Sequence, residues 1–152
     1  MKIRDIMLPV LKPHGGGEEI EALSKVIKSG WWGKGPKVAE FEEKFAKMVG
    51  AKYAVAVTSN SAGQDLIMKA LDIRDGDVIN PTISFMATAM IPLWQPNITT
   101  NVVDVDPYTM CIDVDDVKRS ITPNTKAIIA VNQAGIPAPI DKIREFYDGF
   151  II

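Results

Sequence analysis

Ser59, Asn60 and Ser61 stand between a short apolar run, residues 53–57, and a helical stretch, residues 62–71, whose inner face carries Leu66, Ile67, Ala70 and Leu71. A chain that leaves a strand through hydroxyl and amide side chains and then turns helical presents backbone N–H groups without intrahelical partners. An anion such as phosphate is favoured there. Further on, a turn at Gly76 and Asp77 starts a second strand through Val78 and Ile79. It runs out into Asn80-Pro81-Thr82-Ile83-Ser84-Phe85-Met86-Ala87-Thr88-Ala89. Phe85, an aromatic among small hydroxyl residues, offers a flat face to a ring. The chemistry these two segments suggest is the binding of a phosphate attached to a ring. A plainer reading stands beside it. Ser59 or Ser61 is then an ordinary N-cap, Phe85 a core phenylalanine at a helix start, and Ser84 and Thr88 cap that helix rather than orient a ring.

Residues at two strand ends need a frame of alternating elements to meet. Residues 18–29 carry Ile20, Leu23 and Ile27 at helical spacing, with Gly30 at the stop. Val38, Phe41, Phe45 and Met48 form a second apolar stripe, with Pro36 ahead of it and Gly50 behind. Both stripes are expected to be core faces. Residues 53–57 read as a buried strand, 85–94 as a helix, Gln95-Pro96-Asn97 as a turn and 100–105 as a strand. Asp113 is expected to cap a helix running to Arg119, and Thr122-Pro123-Asn124 to turn the chain. Residues 126–131 predict a strand, 132–138 a loop and 139–147 a helix, with a further strand starting at Phe150. Asp104 and Asp106 are expected to satisfy turn backbone groups. This alternation predicts an α/β fold of three αβα layers, a mostly parallel sheet covered by helices on both faces.

Composition removes several function classes. The 152 residues carry a formal charge of −2, which gives no basic field for nucleic acid. No apolar run approaches the roughly 18–20 residues needed to span a bilayer, so no membrane partner is expected. Met1-Lys2-Ile3-Arg4-Asp5 lacks the apolar core of a signal peptide. One cysteine, Cys111, excludes an internal disulfide, fits a reducing cytoplasm and is expected to be a packing residue. One cysteine and one histidine cannot build a zinc site, and no metal is expected. His14, beside Gly15-Gly16-Gly17, is not expected to do catalytic work. The Gly-x-Gly-x-x-Gly and Gly-Lys-Ser/Thr phosphate motifs are absent.

The segments around Ser59 and Phe85 resemble the DegT/DnrJ/StrS-type sugar aminotransferases, a branch of the fold type I pyridoxal phosphate enzymes. Ser59-Asn60-Ser61 stands where the family carries Ser-Gly-Thr, and Gly76-Asp77-Val78 where it carries Gly-Asp-Glu-Val. Pro81 to Ala89 looks like its Pro-Ser-Phe-Thr-Phe-x-Ala-Thr-Ala run. The likeness continues through Gly30-Trp31-Trp32-Gly33-Lys34-Gly35-Pro36, Phe41-Glu42-x-x-Phe45-Ala46, Val103-Asp104-Val105-Asp106 and Thr122-Pro123-Asn124-Thr125-Lys126-Ala127-Ile128-Ile129. It covers nearly the whole chain from about residue 8.

The resemblance implies a pyridoxal 5'-phosphate cofactor, with Ser59, Asn60 and Ser61 on its phosphate and Phe85 stacked on its ring. Asparagine in place of the family's glycine is tolerable, because asparagine visits left-handed backbone more readily than most residues. Trp31 and Trp32 would form an aromatic corner near the site mouth, as substrate contacts or as packing. Asn132 and Gln133 follow a strand where the family commonly has histidine, and Asn132 is the candidate substrate contact. The implied organisation is an N-terminal segment and first helix over residues 1–35, then the first part of the cofactor-binding large domain over 36–152. The acid that pairs with the pyridine nitrogen and the Schiff-base lysine would lie beyond Ile152. The chain is therefore expected to be a truncated piece with no catalytic residue of its own, and inactive alone. The implied activity is amination of a nucleotide-linked keto-sugar, with an amino acid such as glutamate as donor, in a homodimer. The alternatives are a sugar dehydratase of the same superfamily, or a non-catalytic binding module that keeps the fold.

Overall fold

The computed structural model describes residues 12–152. Residues 1–11, where the expected N-terminal segment and the resemblance begin, lie outside the described part. The chain divides into two units, Met1–Ala56 and Val57–Ile152.

The first unit contains α1 (Gly17–Ser29) and α2 (Pro36–Val49). Each ends on a glycine in left-handed backbone, Gly30 at φ 75° and Gly50 at φ 69°. Glycine takes that conformation without a Cβ penalty. The polar faces carry exposed ion pairs, Glu21 with Lys25 and Glu40 with both Lys37 and Lys44. The apolar stripes, expected to be core, are not buried. Ile20, Leu23 and Ile27 on α1, and Phe41, Phe45 and Met48 on α2, are all exposed. A helical stripe becomes core only where a second layer covers it, and no sheet does so among the described residues of this unit. The expected strand at 53–57 is also absent. A strand needs a neighbour for its N–H and C=O groups. Here Ala56 N–H donates instead to the Glu42 carboxylate at 2.9 Å.

The second unit is built on a parallel four-stranded sheet, β1 (Asp75–Pro81), β2 (Asn97–Val103), β3 (Thr125–Ile128) and β4 (Phe150–Ile151), in the order β2-β1-β3-β4. Period-two alternation divides its side chains between two cores. Val78, Ile98, Ala127 and Ile129 pack on one face with Met68 of α3 (Asn60–Ala70) and Ile73. Ile79, Val103 and Ile128 pack on the other with Val117 of α5 (Val114–Ser120) and Ile143 of α6 (Ile140–Arg144). Helices therefore cover both faces, as the alternation predicted. Asp113 caps α5 by accepting from Asp116 N–H at 2.7 Å. Asp106 accepts from the Tyr108 and Thr109 N–H groups and from the Thr109 hydroxyl, and the Thr109 bonds lower its pKa. Cys111 is buried, as expected of a packing residue.

The remaining differences are in element lengths. Residues 85–94 do not form one helix: α4 spans only Ala87–Met90, followed by a 3-10 turn over Pro92–Trp94. Pro92 has no N–H to continue the α ladder, and it sits where a new turn begins. The second strand is set earlier than expected, ending at Val103, and β3 ends at Ile128 although Ile129 N–H still donates to Ile79 O at 2.8 Å. The helix expected over 139–147 is α6 alone, and the 132–138 loop contains a 3-10 turn, Gln133–Gly135. No helix among the described residues is long and apolar enough to cross a membrane.

Candidate functional site

The strand order places a switch point between β1 and β3. From β1 the chain crosses to β2 on one side and then returns to β3 on the other. Open parallel sheets bind ligands at the carboxyl ends of the strands flanking such a point. A cavity of about 510 Å³ lies there, within the range of small-molecule sites. One wall is the face of α3 made by Asn60, Gly63, Gln64 and Ile67, spaced at i, i+3, i+4 and i+7. Ile129, Ala130, Val131 and Asn132, beyond β3, form a second side, and Phe85 and Thr88 a third.

Helix α3 enters this cavity at its N-terminal end. Ser59 is its N-cap, and the hydroxyl oxygen accepts from Ala62 N–H at 3.1 Å. Gly63 N–H closes on Ser59 O. The N–H groups of Asn60 and Ser61 make no hydrogen bond among the described residues, so the helix start offers two free donors. No ionisable side chain lines the cavity. A bound anion would be met by these N–H groups and the helix dipole, not by a countercharge. Ser59 therefore caps the helix, as the plainer reading of Ser59-Asn60-Ser61 expects, and the cap leaves the neighbouring donors open.

Phe85 is 77 % exposed, so it is not a core phenylalanine. Its ring borders the cavity. Thr88, three residues on, is only 3 % exposed; its N–H donates to Phe85 O at 2.9 Å and its side chain reaches the same cavity. Asn132 borders the cavity as well, but its Oδ1 accepts from Ala138 N–H at 2.8 Å and so fixes the loop after β3. Only its Nδ2 remains to donate to a ligand. Asn60, Phe85 and Asn132 are thus brought to one cavity, with Ser59 and Ser61 at its helix start. Trp31 and Trp32 belong to the first unit. There Trp31 lines a smaller cavity of about 160 Å³ beside Val26 and Pro36, and Trp32 Nε1 donates to Ile27 O at 3.1 Å.

Gln64 and Gly63 were not singled out from the sequence. The signal was available: both lie on the helical face that begins at Asn60. Gln64 Oε1 is buried without a hydrogen-bond partner, and so is Asn80 Oδ1 on the same side of the sheet. Chemically, the cavity combines an anion seat at a helix start, an open aromatic face, and neutral amide and hydroxyl groups. Those features fit a phosphate carried on a flat ring. Among the described residues no cluster of His, Cys, Asp or Glu could hold a metal ion.

A sequence model of the DegT/DnrJ/EryC1/StrS aminotransferase family matches residues 13–150. Solved structures resemble the chain over nearly its whole length. A sugar aminotransferase of Streptococcus pneumoniae in its PMP form is 29 % identical, with a TM-score of 0.84 over 91 % of this chain. The GDP-4-keto-6-deoxy-D-mannose-3-dehydratase of E. coli, with bound hydrated PLP, is 29 % identical with a TM-score of 0.88 over 96 %. An aminotransferase from Psychrobacter cryohalolentis is 28 % identical with a TM-score of 0.83 over 91 %. The chain spans 35 %, 40 % and 36 % of the length of those three proteins.

Proposed function

Because the chain belongs to the DegT/DnrJ/EryC1/StrS aminotransferase family, we propose that it supplies the phosphate and ring seat of a pyridoxal phosphate-dependent enzyme that aminates a nucleotide-linked keto-sugar. The observation that carries this reading is the open start of α3 facing a cavity bordered by Phe85. Ser59, Asn60 and Ser61 hold the phosphate through N–H and hydroxyl donors. Phe85 lies on one face of the ring and excludes water from it. Asn132 donates through Nδ2 to the substrate side. When bound, the cofactor supplies an electron sink for the bonds around the reacting carbon. The chain's own residues bind and orient it. An amino acid such as glutamate serves as donor, and the protein works as a homodimer in the cytoplasm.

A second reading, a dehydratase, is favoured by the likeness to the E. coli GDP-4-keto-6-deoxy-D-mannose-3-dehydratase. Product analysis separates the two. In a full enzyme built on this seat, given a nucleotide-linked keto-sugar and glutamate, the first predicts a product carrying a new nitrogen; the second predicts one that has lost a hydroxyl and gained no nitrogen.

The binding step is tested directly with pyridoxine 5'-phosphate, which has the ring and phosphate but no aldehyde to react with surface lysines. Amide shifts on titration should cluster at residues 59–64 and 85–88. Shifts confined elsewhere would overturn the assignment.

A further inference from the structure

The phosphate seat and the aromatic face of the cavity stand on different pieces of chain, and something must fix the distance between them. The seat is the start of α3, and Phe85 heads the segment that runs to Gln95. That segment is one hydrogen-bonded succession. Thr88 N–H donates to Phe85 O at 2.9 Å, Ile91 N–H to Ala87 O at 2.9 Å, Trp94 N–H to Ile91 O at 3.0 Å and Gln95 N–H to Pro92 O at 3.0 Å. Ile91 and Pro92 are buried within it. A displacement at the Gln95 end is therefore carried to the Phe85 end.

Gln95 meets α3 at Asp65. Its Nε2 donates to Asp65 Oδ1 at 3.3 Å, the one hydrogen bond among the described residues between this segment and α3. Asp65 is held in turn, since Oδ2 accepts from Lys69 Nζ at 2.6 Å one helical turn on. The Asp65 side chain is only 19 % exposed, so water competes little for the link. A carboxylate only accepts, so it admits Gln95 by its nitrogen alone and fixes the way that carboxamide points. Thr100 Oγ1 donates to Ala89 O at 3.2 Å and pins the middle of the segment to β2. Neither Asp65 nor Gln95 lines the cavity, so any effect they have on a ligand acts through the walls that they join.

Resting on the function proposed above, we infer that Asp65 and Gln95 are positioning residues: their bond sets the spacing between the helix start that holds a phosphate and the Phe85 face that holds a ring. A phosphate by itself needs only α3. A ring that carries a phosphate must reach both walls, so it alone feels the spacing. Lys69 serves α3 and not the link, because its bond runs within one helix.

The test sets inorganic phosphate against pyridoxine 5'-phosphate in amide-shift titrations. Asp65→Ala and Gln95→Leu should each weaken pyridoxine 5'-phosphate about 2- to 10-fold, the span of one hydrogen bond, and leave inorganic phosphate unchanged. Asp65→Asn, which keeps an oxygen for Gln95, should bind both probes as the wild type does, and so should Lys69→Met. In a Phe85→Ala background Asp65→Ala should add no further loss, because the face that it positions is gone. In the wild type, the Gln95 side-chain amide protons should shift with pyridoxine 5'-phosphate, which reaches them through the segment, and stay in place with inorganic phosphate. A Gln95 amide indifferent to both probes overturns the inference even if no variant folds. Variants that bind like the wild type, equal losses of both probes, a Lys69→Met that copies Asp65→Ala, or additive losses with Phe85→Ala overturn it too, while the proposed seat stands. A wild type that binds neither probe sinks the proposed function, and this inference with it.

Discussion

Ser59 and Ser61 flank the same helix start but do different work, and single alanine substitutions separate their roles. Ser59→Ala removes the acceptor of the 3.1 Å bond from Ala62 N–H. Losing an N-cap of this kind costs about 1 kcal/mol, which lowers Tm by about 2–4 °C in a chain of this size. Ser61 is half-buried and makes no hydrogen bond among the described residues. Ser61→Ala should therefore change stability by less than about 0.5 kcal/mol. Ligand binding draws on both hydroxyls. An anion held by two N–H groups and two hydroxyls, with no countercharge, is expected at millimolar affinity, about −4 kcal/mol. One neutral hydroxyl contact contributes about 0.5–1.5 kcal/mol, so Ser61→Ala should weaken inorganic phosphate by about 2- to 12-fold at nearly unchanged Tm. Ser59→Ala should lower both. Thermal melts and phosphate titration followed by amide shifts measure the two effects on the same samples. If Ser61→Ala binds phosphate like the wild type, the assignment of that hydroxyl is wrong. If the amides that move lie outside residues 58–64, the whole seat is wrong.

Phe85→Ala should leave Tm within about 1 °C, because the ring is 77 % exposed, yet weaken pyridoxine 5'-phosphate and spare inorganic phosphate; equal loss of both probes would refute a stacking role. Gly76 sits at φ 90°, and a Cβ there would run into the Asn124 carbonyl and lie 2.9 Å from Lys126 side-chain carbons. Gly76→Ala should cost more than the roughly 1–2 kcal/mol of left-handed backbone alone, read as a fall in the denaturant midpoint. Lys37 and Lys44 hold the Glu40 carboxyl down to about 2. A depressed folded-state pKa stabilises above the unfolded carboxylate range, and that contribution is lost as pH falls toward 2. The group is partly exposed and its partners reach into solvent, so NMR titration in high salt should move its midpoint back up. The open stripes of α1 and α2 predict self-association. Ile20→Glu with Leu23→Glu should raise the monomer fraction in sedimentation without lowering Tm, and an unchanged distribution would count against this face.

Legibility in the sequence followed how local the determining physics was. Asp113, Gly30 and Gly50 act through bonds and dihedrals within a few residues, and each stands where its residue type places it. Parallel strands buried on both faces read as apolar runs, so β1 and β3 were visible, and their alternation explains the two cores built around Val78 and Ile79. Residues 53–57 show the limit. They have the composition of a buried strand, but a strand is a relation between two chains' backbones, and here the Ala56 N–H found the Glu42 carboxylate instead. The stripes of α1 and α2 show the same limit for helices: periodicity names the face that wants cover but not what covers it. The site divides along that line as well. Ser59 and Phe85 announce themselves by residue type in their own segments. Gln64 does not, because a glutamine in a helix is ordinarily solvated. Only the fold, by turning the Asn60 face of α3 toward the carboxyl end of β3, buries its oxygen and gives it a candidate role.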